Sequence, residues 1–414
     1  MKSELMYPMV GAEQSRSAPA LLLSAAGREL LDRLAGEDVT PDRALALSSA
    51  LRGRYPAELI AAALTQQALR VTARAKFALA DRMLFTRAGL EQASSELTAR
   101  HAAGRFATAG LGAGAGPVAD LCCGIGGNTV ALAARPAAPV IGVDADPTSL
   151  EFARHNAAVC APGADVALVC ADVRELPLTG LGAVFIDPAR RDGQRRLPPG
   201  QYRPPLAWCL RLAETTPLVG VKAAPGLDRA AVPPGWETEF VAVGRELKEA
   251  LLWSPALTTA GTATRATVLP SGDSLVSSAT DPAEPVPAAP LAPPGEYLLD
   301  PNPAVTRAGL VADLARSLGA WQIDPMIAFL SSGEPARTPF ARTLRVLDSA
   351  PWHEKKFARR LRELGIGSAD IRRRGLAGDV DQIRHRLALR GEGAATIVLT
   401  RVDDKPWGLI CVPL

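Results

Sequence analysis

No two cysteines in this 414-residue sequence are spaced as a metal-binding pair. The six (Cys122, Cys123, Cys160, Cys170, Cys209 and Cys411) include no C-x-x-C, so no metal partner is expected. Most lie in apolar strand-like or helical stretches, where a buried free thiol is the ordinary state, and a reducing cytoplasm fits that usage. Long apolar runs are missing too, so no bilayer span and no membrane partner are expected. Met1 to Arg16 carries Glu4 and Glu13 and has no apolar run, so it is not expected to be a signal peptide. There is no internal repeat. Aromatic residues make up 5%, against 36 Gly and 35 Pro. A composition rich in Ala, Arg and Pro follows the base composition of the coding DNA and carries little functional weight. The balance of 46 Lys and Arg against 43 Asp and Glu leaves +3, too little by itself to mark a nucleic-acid partner.

What is present is a hydrophobic share of 48%, enough to bury sizeable cores, in a chain long enough for two or three domains. Residues 1–18 read as a flexible start, 19–107 as a helical domain, 108–270 as an α/β domain, 271–296 as a Pro-rich linker, 297–336 as a helical connector and 337–414 as a basic α+β domain. Val39-Thr40-Pro41-Asp42 has the form of a helix cap followed by Pro at the first helical position. Helices are expected from Pro56 to about Gln67, and from Thr72, as cap, to Leu84. Phe85-Thr86-Arg87 with Gly89 to Gln92 reads as a polar join. His101, Arg105 and Phe106 are expected to pack the helical domain on the next one.

From Pro117 strands and helices alternate. Strands are expected at 118–122, 139–143, 166–170, 183–186 and 218–222, with a helix at 147–159, which predicts a parallel sheet with crossover helices. Strand-like runs at 237–243, 247–253 and 264–269 come next without helices, and Gly244-Arg245 sits where a hairpin turn belongs. The fold class is therefore α/β: a Rossmann-like sheet finishing in an antiparallel hairpin. Pro270 to Pro294 has linker composition. A helix over 304–320 would place Leu310, Leu314 and Leu318 on one face. Helices at 357–362 and 381–389, and strands at 396–402 and 409–412, complete the reading.

The chemistry gathers at strand ends. Asp120-Leu121-Cys122-Cys123-Gly124-Ile125-Gly126-Gly127-Asn128-Thr129 is a strand end followed by small residues that let backbone approach a ligand. The loop opens a helix whose first amides can meet a carboxylate. The second strand ends at Asp144, a little over ~20 residues after the loop begins, placed for ribose hydroxyls. The third ends near Asp172, placed to accept from an adenine amino group. A nicotinamide dinucleotide would fit the same loop less well, because the third Gly of G-x-G-x-x-G falls on Thr129. The order of loop and acids predicts S-adenosylmethionine as cofactor, held by Asp120, Cys122, Gly124, Gly126, Asn128, Asp144 and Asp172.

With Val140 to Pro147 and Ala153-Arg154-His155-Asn156-Ala157, this stretch is similar to the trimethylguanosine-synthase-type RNA methyltransferases. Over its whole length the chain resembles a bacterial family of class I methyltransferases with a C-terminal THUMP-like domain. The residues that carry this are Asp187-Pro188-Ala189-Arg190-Arg191, Lys222-Ala223-Ala224-Pro225-Gly226, Glu246-Leu247-Lys248-Glu249-Ala250 and Arg372-Arg373-Arg374-Gly375. THUMP domains are RNA-binding modules of tRNA-modifying enzymes, so the resemblance implies an RNA acceptor, a tRNA or rRNA base.

Strand four ends in Asp187-Pro188-Ala189-Arg190, the position that faces the methyl group in this fold. Methyltransferases of exocyclic amines have Asp, Asn or Ser, then Pro-Pro and an aromatic. Here Ala189 replaces the second Pro and Arg190 the aromatic. Uridine C5 methyltransferases have Asp-Pro-Pro-Arg, but also need a cysteine after strand five, where this chain has Lys222-Ala223-Ala224-Pro225. Asp187, Pro188 and Arg190 are the expected catalytic set, with Arg190 placed to lie on a base or hold a phosphate. Arg191, Arg195 and Arg196 beside them are expected to bind RNA phosphate. Lys222 would either pair with Asp187 or contact substrate. Between Arg337 and Arg390 stand fourteen Lys or Arg and six Asp or Glu, a local excess greater than that of the whole chain. Lys355, Lys356 and Arg359 on one helix, and Arg372, Arg373 and Arg374 in a second cluster, are expected to hold the RNA backbone. Two other readings stand beside this one: methyl transfer to a protein or small molecule, and a catalytically degenerate protein that binds RNA.

Overall fold

The computed structural model describes residues 18–111, 116–134, 138–192, 195–196, 198, 200–259, 261–277, 288–376 and 378–414. The expected flexible start, up to residue 17, and the middle of the expected linker, 278–287, lie outside the described residues. Two units are distinguished: one holds the described residues up to 103 and from 111 to 181, the other 104–110 and 182–414.

The first unit begins with α1 (Ala18–Leu23), α2 (Ala25–Arg33), α3 (Pro41–Leu51), α4 (Ala57–Ala73), α5 (Arg87–Gln92) and α6 (Glu96–Thr108), whose last turn belongs to the second unit. Helix α3 starts as its sequence requires: the Thr40 side chain accepts from Arg43 N and Pro41 occupies the first turn. The expected helix from Thr72 does not form. Thr72 lies inside α4, where its hydroxyl donates back to Ala68 O at 3.2 Å, and residues 74–86 are turns and loop. Leu30, Leu34, Ile60, Met83 and Leu84 build one apolar cluster that also takes in Ile125 and Phe152. The unit continues with β1 (Val118–Leu121), α7 (Gly127–Ala133), β2 (Val140–Asp144), α8 (Pro147–Cys160) and β3 (Val166–Cys170). β1 pairs with β2 and β2 with β3, both parallel. Asp146 caps α8 by accepting from Thr148 N and Ser149 N, with Pro147 at the first position.

In the second unit β4 (Ala183–Ile186) leads into a two-strand ribbon, β5 (Arg191–Asp192) with β6 (Arg195–Arg196), then α9 (Leu206–Arg211) and β7 (Val219–Ala223), which pairs parallel with β4. β8 (Glu237–Val243) and β9 (Glu246–Trp253) form the expected hairpin, turning at Gly244 with φ 55°. β9 runs antiparallel to β7, and β10 (Thr264–Leu269) runs parallel to β8. β11 (Asp273–Val276) pairs antiparallel with β10, so the expected linker begins as a strand. Phe185, Phe240 and Trp253 are fully buried here. The last turn of α6 packs on this core, with the Phe106 ring edge-on to Phe185 and Trp253 and Arg105 paired with buried Glu237.

The rest of the unit is a seven-stranded sheet with its helices. Its elements are β12 (Tyr297–Pro301), α10 (Pro303–Ala308), α11 (Val311–Leu318), β13 (Trp321–Gln322), β14 (Leu330–Ser332), β15 (Ala341–Pro351), α12 (Glu354–Glu363), β16 (Ile366–Arg373), α13 (Val380–Leu387), β17 (Gly393–Val402) and β18 (Lys405–Pro413). The strand order is β13-β14-β12-β15-β18-β17-β16. Two expectations are corrected. The single helix at 304–320 is two, broken at Gly309 with φ 76°, though Leu310 and Leu314 are buried as its apolar face requires. Residues 297–301 and 330–332 are strands of this sheet, so a boundary at 337 would cut it in two.

Candidate functional site

In the first unit the end of β1 is tied to α7 by buried side chains. Asp120, fully buried, accepts from the Thr129 hydroxyl at 2.5 Å, which links the strand to the first turn of that helix. Cys122 has φ 61°, a left-handed conformation that costs a non-glycine residue about 1 kcal/mol. The two key glycines serve different needs. At Gly126 (φ 86°) an added Cβ would lie 3.2 Å from Ala153 Cβ, so close packing on α8 requires glycine. At Gly124 (φ 53°) an added Cβ would meet nothing within 4 Å, so that face of the loop is open. Gly124 N donates to Asp144 Oδ2 at 2.8 Å and Asp146 N to Oδ1 at 2.9 Å, so among the described residues it is backbone amides that orient this carboxylate. Asn128 is buried, and its Oδ1 has no hydrogen-bond partner among the described residues. Burial and the neighbouring acids push the Cys123 thiol far up, so it stays neutral. Asn156, fully buried, holds the loop from behind: Nδ2 donates to Ile125 O at 3.0 Å and Leu84 O at 2.9 Å, and Oδ1 accepts from Leu84 N.

Asp144 pairs in register with Cys170, which puts Asp172 two residues beyond it on the neighbouring strand's exit. Its carboxylate is engaged: Arg174 donates through Nε at 3.0 Å and Nη2 at 2.5 Å, and these bonds hold the Asp172 carboxyl down at about 2.

In the second unit Asp187 comes directly after β4, with Pro188 buried and Arg190 exposed. Of the two roles expected for Lys222, the structure has the ion pair. Its ammonium, on β7 and 8% exposed, lies 2.6 Å from Asp187 Oδ2 and 4.0 Å from Glu249 Oε2. Burial pulls the ammonium down, but the two carboxylates outweigh it and its pKa lies above the ordinary lysine value. Lys222 thus stands between two acids, with Arg190 also near enough to act on it. Backbone bonds between Ala189 and Arg203, at 2.8 and 2.9 Å, fix the segment after it. The side chains of Arg191, Arg195 and Arg196 lie outside the described residues.

The two basic clusters of the C-terminal sheet differ. On α12, Phe357 and Leu361 are buried, while Lys355, Lys356, Arg359 and Arg362 are exposed. Arg373 is exposed too, whereas Arg372 and Arg374 are half-buried and paired. Arg372 Nη1 lies 2.6 Å and Arg374 Nη2 3.1 Å from the carboxylate of buried Asp300, and Arg374 covers the Phe329 ring at 4.8 Å. Asp300 lies 72 residues from Arg372 in sequence, and no spacing signal joins them. Glu249 was likewise missed as a partner of Lys222, although it lies in one of the family-like motifs.

Among the described residues no helix is long and apolar enough to cross a membrane, and no group of three or more His, Cys, Asp or Glu is placed to hold a metal ion. Residues 118–186 match the model of a methyltransferase domain, residues 341–413 a THUMP domain-like family and residues 16–73 a domain of unknown function. An uncharacterized S-adenosylmethionine-dependent methyltransferase of Mycobacterium tuberculosis, found in strains CDC 1551 and H37Rv, is 38% identical over 323 residues, 77% of this chain and 85% of that protein. A solved structure of a candidate methyltransferase from Porphyromonas gingivalis W83 is 20% identical and has the same fold. It covers 90% of this chain and 98% of its own, with a TM-score of 0.72.

Proposed function

The chain belongs to the S-adenosylmethionine-dependent methyltransferases, and from that premise we propose that its acceptor is RNA, a tRNA or rRNA base. Bound S-adenosylmethionine supplies a methyl group on a sulfonium, open to in-line attack by the acceptor atom. The residues of the β1–α7 loop fit such a cofactor. Gly124 leaves an open face, and Asn128 Oδ1 is a buried acceptor with no partner among the described residues. Asp144, held by neutral amides, presents its carboxylate to ribose hydroxyls. In this reading Asp120, Cys122, Gly126 and Asp172 complete the cofactor set. Asp172 would then meet the adenine amine while still paired with Arg174.

Methyl transfer needs little acid–base help when the acceptor is held in line. Asp187 is the residue we assign to that task. With Oδ2 fixed by Lys222, the carboxylate has a set orientation and its other oxygen can accept from an N–H or O–H of the acceptor. Pro188 stiffens the segment, and Arg190, exposed beside it, is suited to stack on a base. A cytoplasmic location is supported by six free thiols.

The observation that carries the RNA reading is the THUMP-like match over 341–413, together with the exposed row Lys355, Lys356, Arg359 and Arg362 on α12. Replacing all four by Gln should weaken binding of total tRNA and flatten its salt dependence, since each lost phosphate contact removes about 0.9 from the log–log slope on a duplex. Cofactor affinity should stay at the parental value. Equal RNA affinity and slope in parent and variant would contradict the reading.

A further inference from the structure

Three arginines from distant parts of the second unit converge on one buried carboxylate, and a fourth, Arg342, stands beside them. Asp300, on β12, is 5% exposed. Arg245, in the β8–β9 turn, donates through Nη2 to Asp300 Oδ2 at 2.8 Å and through Nη1 to Asp300 O at 3.2 Å. Arg372, from β16, reaches the same Oδ2 at 2.6 Å and also Asp370 at 2.8 Å. Arg374 Nη2 lies 3.1 Å from Oδ1. Arg342 stands directly opposite Asp300 in the β12–β15 ladder, so both side chains leave the same face. Among the described residues Arg342 has no ion pair or side-chain hydrogen bond.

The charges do not balance: four guanidiniums face two carboxylates, Asp300 and Asp370. Burial, and after it repulsion from Arg372, Arg342 and Arg374, pulls the Arg245 guanidinium below the ordinary arginine value despite Asp300. Arg372, which also has Asp370, moves the other way. The side chains keep 37% (Arg245), 27% (Arg372) and 31% (Arg374) of their surface in solvent. Arg245 Nε, Arg372 Nη2 and Arg374 Nε have no partner among the described residues. A structural lock for Asp300 needs two guanidiniums at most. Four, with donors left over and half of their charge uncompensated, make a receptor for a further anion. The planar fork geometry suits phosphate oxygens.

We propose that the cluster of Arg245, Arg342, Arg372 and Arg374 around Asp300 is a phosphate-binding site that takes a backbone phosphodiester of the RNA acceptor. This rests on the RNA reading above and adds a second anchor, between the β8–β9 turn and the C-terminal sheet, independent of the α12 row. Arg342 is the residue to test, because removing it leaves all three ion pairs of Asp300 in place.

Binding of a fluorescent tRNA to the full chain should be followed against salt for the parent, Arg342→Gln and Arg342→Lys, with thermal melting in inorganic phosphate and in chloride at equal ionic strength. The expected result is a several-fold loss of tRNA affinity in Arg342→Gln, a salt slope smaller by about one, and partial recovery in Arg342→Lys. Parental affinity and slope in Arg342→Gln would overturn the site while leaving the RNA reading intact. If the parent fails to bind tRNA, yet phosphate raises the melting temperature of the parent and not of Arg342→Gln, the phosphate site is upheld, its tRNA source is overturned, and tRNA falls as the acceptor.

Discussion

Asp144 and Asp300 both lie at or near the end of a β-strand, and each is held in place by donors from the protein. The means are opposite. Asp144 accepts from two backbone amides, Gly124 N and Asp146 N, and among the described residues no cation is paired with it. Asp300 is surrounded by guanidiniums from Arg245, Arg372 and Arg374. Neutral donors orient a carboxylate and leave its charge to act on an incoming ligand, which suits a group that must bind hydroxyls. Cationic donors more than cancel the charge, so the region as a whole turns positive and the acid becomes the pin of a basic surface. Asp187 stands between these cases, with one ammonium on one oxygen and a second acid, Glu249, behind it.

The comparison breaks most readily at Asp300. Asp300→Asn should cost about 3 kcal/mol of folding stability, because three partly buried guanidiniums lose their counter-charge. Urea denaturation with an unchanged slope would measure it, and a loss under about 0.5 kcal/mol would show that solvent, not Asp300, satisfies them. Asp187→Ala should lower the methyl-transfer rate by about 100-fold while cofactor affinity holds, since misplacing the acceptor costs turnover more than ground-state binding. Rate and affinity should be measured on one preparation whose circular dichroism matches the parent. A variant that fails to bind cofactor would move Asp187 into the cofactor pocket.

Asp144→Ala should behave differently from Asp300→Asn: the fold survives and S-adenosylmethionine binds at least about tenfold more weakly, the worth of charge-assisted hydrogen bonds. Calorimetry giving parental affinity would remove Asp144 from the ribose site. The smallest effect concerns Asp172. Its carboxyl should titrate at about 2 by carbon-detected NMR, against an ordinary value of 3.8. Because the folded value is depressed, the stabilising contribution is present above the ordinary value and is lost as pH falls toward about 2. A midpoint at the ordinary value would mean that Arg174 is not bound there in solution.

Much of the chemistry at the methyltransferase strand ends was legible because these strands read as short apolar runs, whether fully buried like β1 and β4 or partly exposed like β3. The acids and glycines stand at the ends of those runs. Strands at 166–170 and 183–186 were placed to the residue, and the loop from Asp120 to Thr129 was found whole. The C-terminal sheet was less legible for the converse reason. β15 carries Arg342, Arg345 and Asp348 among its apolar residues, and β16 carries Asp370, Arg372 and Arg373, so these half-exposed strands showed no apolar run to mark them. Thr72 misled because a hydroxyl that can cap a helix can also bond back within one. Of the Asp300 cluster only Arg372 and Arg374 gave a local signal, as part of a basic run, and nothing in the sequence joined them to Asp300, Arg245 or Arg342. The cluster's members come from β12, the β8–β9 turn, β15 and the end of β16, and only tertiary folding brings them together.

The central claim, transfer of a methyl group from S-adenosylmethionine to RNA through Asp187, is tested most directly by mass spectrometry of nucleosides from total tRNA and rRNA. The cells should carry the parental gene, no gene, or the Asp187→Ala gene. The account predicts one methylated nucleoside that disappears without the gene, returns with the parental copy and does not return with Asp187→Ala. Identical nucleoside profiles in all three would contradict it.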